Sequence, residues 1–261
     1  PTALIRQIDQ LDIGRFRRIM LLPLSGGYQL NREKYDVLAA AAERHVQRYW
    51  QNRITLIHMG RLWIRNIIAN LSRHWPSFVS AFPVGEKPVV VAGAGESLEN
   101  ALEILRKERN RVFLLAVDTA LPVLTSSGIV PDLVVMLEGQ LVNSGDFIGH
   151  GYRRIPLLCD LSAHPSTLGG IAGDKHFVVS LFSQNSFLDR LRKSGLSIPG
   201  LRPMGSVGVV AVEIARMISA APLILTGLDF CYTPGKPHSR GALSHILSLA
   251  TSCRTRPVGW Y

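Results

Sequence analysis

No stretch of this chain approaches the roughly 20 consecutive apolar residues that a membrane-spanning helix needs, so no transmembrane segment is expected. Cysteine is scarce: Cys159, Cys231 and Cys253 stand far apart, without metal-type or redox-type spacing. That argues against a disulfide framework and for a reducing, cytoplasmic setting. The first two are expected to act as small buried hydrophobes. Aromatic residues are only 7% of the chain and are not interleaved with its Lys and Arg. A stacking platform for nucleic acid is therefore not expected. The opening PTALIRQIDQ has neither an initiator Met nor a signal-peptide pattern, and the closing RTRPVGWY does not read as a finished C-terminus. The chain is expected to be part of a longer or processed protein.

What is present is an apolar, basic chain. Its 261 residues are 47% hydrophobic, enough for a sizeable core in one large domain or two small ones. The net charge of +10 is uneven: residues 1–80 hold twelve Arg/Lys against five Asp/Glu. Such a surface suits nucleic acid, an acidic lipid or an acidic partner, or is balanced by flanking segments.

The N-terminal part reads as mainly helical. A short strand is expected over 16–24, then a helix from about Asn31 to Asn52 and another from Ile54 to His74, stopped by Pro76. The segment 82–88, FPVGEKP, reads as a linker, which gives a helical segment 1–80 and a second domain 81–261. From Pro88 short apolar runs alternate with helical patterns. Strands are expected over 89–92, 112–117, 133–137, 155–158, 176–180 and 223–226, with helices over 98–108, 120–127 and 207–218. This is the pattern of an α/β, Rossmann-like, mostly parallel sheet with helices on both faces, plus a helical N-terminal extension. In such sheets ligands bind beyond the carboxyl ends of the strands, so the loops there are the place to look.

The first of these loops is VVVAGAGESLEN, residues 89–100. A buried strand that turns through Gly93 and Gly95 into a helix leaves backbone N–H groups at the positive end of the helix dipole, a natural anion site. The dinucleotide fingerprint would need a third glycine where Leu98 stands, and no Lys-Ser/Thr phosphate-loop ending is present. Asp118, with Thr119, follows the second strand and can contact a ribose or cap the next helix. Asp132 enters the third strand and reads as structural, whereas Glu138 leaves it and can accept substrate hydroxyls. Gly205 and Ser206 open a second glycine-initiated helix. The last strand runs into TGLDFCYTPGKPHSRG, residues 226–241, which crowds Asp229, Tyr232, Lys236, His238 and Arg240 into one Gly/Pro-rich loop. His238 can act as an acid or base near neutral pH, and Tyr232, Lys236 and Arg240 suit phosphate oxygens.

The ordered series WIRNIIANL, VAGAGESL, AVDTALPVLTSSGIVPDLVV, GSVG and TGLDFCYTPGKPHSRG resembles the motility accessory factor proteins over roughly residues 50–245. Their central domain is related to the archaeal 6-hydroxymethylpterin pyrophosphokinase (MptE-like) and is similar to bacterial sialyltransferases. Two positions depart from the family pattern: Glu96 stands where Pro is usual, and Glu138 where Asp is usual. The resemblance implies a cytoplasmic glycosyltransferase that moves a nonulosonic acid, pseudaminic or legionaminic in type, from its CMP form to flagellin Ser/Thr.

On that resemblance Gly93, Gly95, Glu96 and Ser97, with Gly205 and Ser206, would line the nucleotide. Asp118, Thr119 and Glu138 would orient ribose or sugar, and Tyr232 and Lys236 would stabilise the departing phosphate. His238 would be the base, with Asp229 beside it in the catalytic loop. No Asp-x-Asp triplet occurs, which fits transfer that needs no metal cofactor. The alternatives are a pterin pyrophosphokinase using ATP and Mg²⁺, and a nucleotide-binding homologue without turnover.

Overall fold

A computed structural model of the chain describes residues 2–74, 84–149, 154–180, 186–195, 198–202, 204–231, 233, 235–255 and 257. By its contacts the chain divides into two compact units, Pro1–Arg61 and Leu62–Tyr261. The division falls within a helix, upstream of the composition change at residue 80.

The N-terminal unit contains α1 (Thr2–Gln10), a 3-10 turn, α2 (Gly27–Leu30) and the first part of α3 (Arg32–Arg73). A small cluster of Ile8, Ile13, Ala42 and Val46 forms its interior. Two expectations are corrected here. Residues 16–24 form no strand: the Phe16 carbonyl accepts the Trp50 indole N–H at 2.7 Å, and Leu22 and Leu24 lie in solvent. An extended segment without a ladder partner has little to hold it as a strand. The two expected helices are one 42-residue helix, because Asn52 and Arg53 cost a helix only tenths of a kcal/mol. Pro76, the expected stop, lies outside the described residues.

The second unit is built on a seven-stranded sheet, all of whose pairings are parallel. The strands are β1 (Val89–Ala92), β2 (Phe113–Val117), β3 (Leu133–Met136), β4 (Leu157–Asp160), β5 (Lys175–Ser180), β6 (Gly200–Leu201) and β7 (Leu223–Thr226). The connecting helices are α4 (Ser97–Lys107), α5 (Leu121–Ser126), α6 (Pro165–Gly169), α7 (Ser186–Lys193) and α8 (Val207–Ile218); α9 (Leu243–Ala250) follows β7. Pro156, which has no N–H to donate, delays β4 to Leu157, so the strand expected at 155–158 ends at Asp160.

Leu133 and Val135 of β3 pack in the same cluster as Val210 and Ala211 of α8, whereas Val134 and Met136 pack with Ile67 of α3 and Leu121. Successive strand residues face opposite ways, so helices cover both faces.

The spatial order is β6-β5-β4-β3-β2-β1-β7. The chain steps in one direction from β1 to β6, then α8 carries it back across β1, β2 and β3 to set β7 on the far side of β1. The order of the sheet therefore reverses between β1 and β7, and a crevice is expected at their carboxyl ends.

Candidate functional site

A recess of about 350 Å³ opens at that point. Gly93, Ala94 and Gly95 line it after β1, and Val117 and Thr119 after β2. Ser206, Val207 and Gly208 come from the first turn of α8, and residues 227–231 with Pro237 and His238 from the loop after β7. A roomier apolar recess of about 520 Å³ lies in the N-terminal unit among Leu4, Ile19, Met20 and Tyr35. It lacks the glycine turns and the histidine, so the chemistry points to the sheet.

The β1–α4 turn is fastened to β7, which corrects the expectation that its donors point outward. Gly93 N donates to Thr226 O at 2.8 Å, Gly95 N to Gly227 O at 2.7 Å and Ser97 N to the Asp229 carboxylate at 2.8 Å. Ser97 Oγ in turn accepts the Gly227 N–H. Asp229 thus occupies the positive end of α4, where a ligand anion was expected. The glycines have a packing reason as well: a Cβ on Gly93 would collide with the Gly227 carbonyl, and one on Gly95 with Asp229.

The start of α8 is arranged differently. Ser206 caps the helix through its own side chain, accepting Val209 N at 3.2 Å, while Ser206, Val207 and Gly208 face the recess. A Cβ on Gly208 would press on the end of the Leu228 side chain, whereas Gly205 has open space around it and is not among the residues lining the recess.

Charged residues of the loop after β7 reach the α4 side. Glu96 accepts hydrogen bonds from Thr233 and from Lys236, and Lys236 Nζ also lies 2.8 Å from Glu99. The Glu99 hydrogen bond, with a second from Glu96, holds the Lys236 pKa above its ordinary value. The Thr233 hydroxyl and then Lys236 hold that of Glu96 down. The charge of Lys236 is met within the protein by Glu96 and Glu99. The departure from the family pattern at Glu96 thus has a structural use: it ties the two walls together. Ser239 adds to the seam, donating through N to Ala94 O at 2.8 Å and through its hydroxyl to Gly95 O.

Asp118 lies beneath the crevice and is 2% exposed. Its carboxylate accepts from Thr119 N and Oγ and from Asn143 Nδ2, so it serves the local backbone as a cap would. Burial raises its pKa. Asp146 nearby is pushed up to about 7, by burial first and then by Asp118. Glu138 is half-buried and accepts Gln140 N at 2.8 Å.

His238 does line the crevice, and burial, followed by the proximity of His245, lowers its pKa. Tyr232 lies outside the described residues. Cys231 is exposed at the rim, which corrects its assignment as a buried hydrophobe; Cys159 is buried in β4.

Sequence reasoning did not find Ser239, His245 or the two asparagines of α3. Asn66 donates to the carbonyls of Gly139 and Ser162, and Asn70 to those of Leu161 and Ala163. They clamp the loops after β3 and β4. Their signal was two amides four residues apart on the apolar face of a helix.

A parallel sheet with a crevice at its order reversal defines a Rossmann-like α/β protein. The family model described as 6-hydroxymethylpterin diphosphokinase MptE-like matches residues 62–235, and the chain belongs to this MptE-like family. An uncharacterized protein of Treponema pallidum (strain Nichols) is 32% identical over 273 residues, covering 99% of this chain and 48% of the relative. A second uncharacterized protein of that organism is 34% identical over 89 residues, 33% of this chain and 42% of the relative. The chain thus spans about half the length of the first relative. The MAf glycosyltransferase structure from Magnetospirillum magneticum AMB-1 shares the fold, with a TM-score of 0.51 and 19% identity over 62% of this chain and 26% of that one. Among the described residues, no helix is long and apolar enough to cross a membrane.

Proposed function

We propose that the chain carries the donor-binding domain of a glycosyltransferase that uses a CMP-activated nonulosonic acid and glycosylates a Ser/Thr hydroxyl of a flagellin-type acceptor in the cytoplasm. The observation that carries this reading is a histidine lining a strand-end crevice beside the start of α8. His238 has its pKa lowered and sits across the recess from an α8 turn whose backbone suits a phosphate. In the transfer His238 takes the proton of the acceptor hydroxyl. The new bond from that oxygen to the sugar carbon forms as the bond from the carbon to the CMP phosphate breaks, and CMP leaves. Thr119 and Ser206 supply polar contacts to donor oxygens, and Tyr232 is assigned to the departing phosphate. The fold shared with a MAf glycosyltransferase supports the reading.

The family description favours a diphosphokinase as the second reading. That reaction would place Mg²⁺ on strand-end carboxylates. Here Asp229 is taken by Ser97 N, Asp118 by Thr119 and Asn143, and Glu96 by Thr233 and Lys236. Carboxylates committed to these partners would have to rearrange to take Mg²⁺, which favours the sugar donor.

Thermal shift separates the two readings: CMP is expected to raise the melting temperature and ATP–Mg²⁺ to leave it unchanged. The reverse would overturn the proposal. With turnover established, the acid limb of kcat/KM should lie below the ordinary imidazole value of 6.5, and His238→Ala should lower kcat at least 100-fold. An unaltered kcat would remove His238 from the mechanism and favour a homologue without this chemistry.

A further inference from the structure

Phe230 is the one non-glycine residue with a positive φ, +49°, among the described residues. A bulky side chain seldom adopts this region, because its Cβ crowds the following carbonyl. The residue is nevertheless 70% exposed, so burial of the ring does not offset the strain. It lines the crevice and also an adjoining apolar recess of about 310 Å³ with Ser97, Val209, Leu225 and Leu228.

Side chains on either side of it are fastened. Asp229 is bonded to Ser97 N, and the Glu96 carboxylate takes Thr233 and Lys236. The loop therefore holds an aromatic ring at the crevice rim in a conformation that a free chain would leave. A ring so placed offers an apolar π-face beside a polar floor that includes Thr119 and Ser206. Ligands matching both halves have a flat heteroaromatic group at one end and an anion at the other.

We propose that Phe230 is the stacking platform for the nucleobase of the crevice ligand, with the ligand's phosphate directed at the first turn of α8. The inference rests on the reading of the crevice as a nucleotide site, and it adds a residue that sets how tightly a base-bearing ligand is held. Base–aromatic stacking is worth roughly 1–3 kcal/mol, and about 1.4 kcal/mol within that range is tenfold in affinity.

Titration calorimetry on the full chain tests it with CMP, ribose 5-phosphate and ATP–Mg²⁺ as probes. Phe230→Ala is expected to weaken CMP roughly tenfold, Phe230→Trp to retain it, and ribose 5-phosphate to bind all three proteins alike. Melting curves establish that the variants fold; because the ring is 70% exposed and Ala keeps the same Cβ, Phe230→Ala should be about as stable as the parent. If the parent binds CMP and Phe230→Ala binds it equally well, the platform is overturned while the nucleotide reading stands. If the parent prefers ATP–Mg²⁺ and Phe230→Ala weakens that, the platform stands and the CMP-donor reading falls. If the parent binds neither nucleotide at millimolar concentration, both fall and the exposed ring belongs to another kind of contact.

Discussion

Two helices in this fold begin at glycine turns beside the same crevice, and they are finished in opposite ways. At α4 the protein's own carboxylate, Asp229, holds Ser97 N, and the turn N–H groups of Gly93 and Gly95 bond to the β7 end. At α8 the cap is Ser206, one turn of helix satisfying itself, and the backbone beside it lines the recess. A glycine turn is thus a signature of close approach, by protein or by ligand, and only the surroundings say which. The β1 turn is a joint between strands, and the α8 turn is the open wall. Charge agrees with this division. The α4 side is stitched by Glu96, Glu99 and Lys236, while burial raises the pKa values of Asp118 and Asp146 below the crevice.

The largest test of the comparison is steric. Gly93→Ala must push a methyl into the Gly227 backbone, whereas Gly205→Ala meets nothing within 4 Å. Urea denaturation should show a loss of about 3 kcal/mol for the first and a change within about 0.5 kcal/mol for the second. Equal effects would show that the close approach of the β7 end does not require glycine at position 93. Next in size is Asp229→Ala, which uncaps α4 and should cost about 1–2 kcal/mol. A neutral result would mean that the α4 end gains nothing from that carboxylate.

The smallest effect concerns the charge beneath the crevice. The folded pKa of Asp146, about 7, lies above its ordinary value of 3.8. Its contribution to stability is therefore complete below about 3.8 and is lost as pH rises through about 7. Asp146→Asn should melt like the parent at pH 4 and gain on it steadily towards pH 8. A pH-independent difference would show that Asp146 does not titrate in this window.

The sheet was legible because its strands are unbroken branched-apolar runs. Val89–Ala92 and Leu223–Thr226 fall where the sequence places them, and the Asp132 carboxylate takes Leu114 N and Arg109 as a structural acid should. β6 escaped notice because two residues carry no periodicity, and α6 because five carry too little. The candidate site was legible only in outline. Sequence places Gly93, Ser206 and His238 at strand-end loops, but the partners that decide their roles are distant in the chain. Lys236 meets Glu96 and Glu99 nearly 140 residues away, and Asp229 meets Ser97 across 132. Such pairings follow from the β1–β7 adjacency, which is a property of strand order and leaves no local trace. Exposure is equally silent, which is why Cys231 and Phe230 were not seen as rim residues.

The central claim is that the open wall, and not the glycine joint, receives the ligand's phosphate. A crystal structure of the chain with CMP tests it most directly. The phosphate is expected against the backbone of Ser206 to Gly208, with Asp229 still bonded to Ser97 N. A phosphate seated on Gly93 to Ser97 with Asp229 displaced would contradict it.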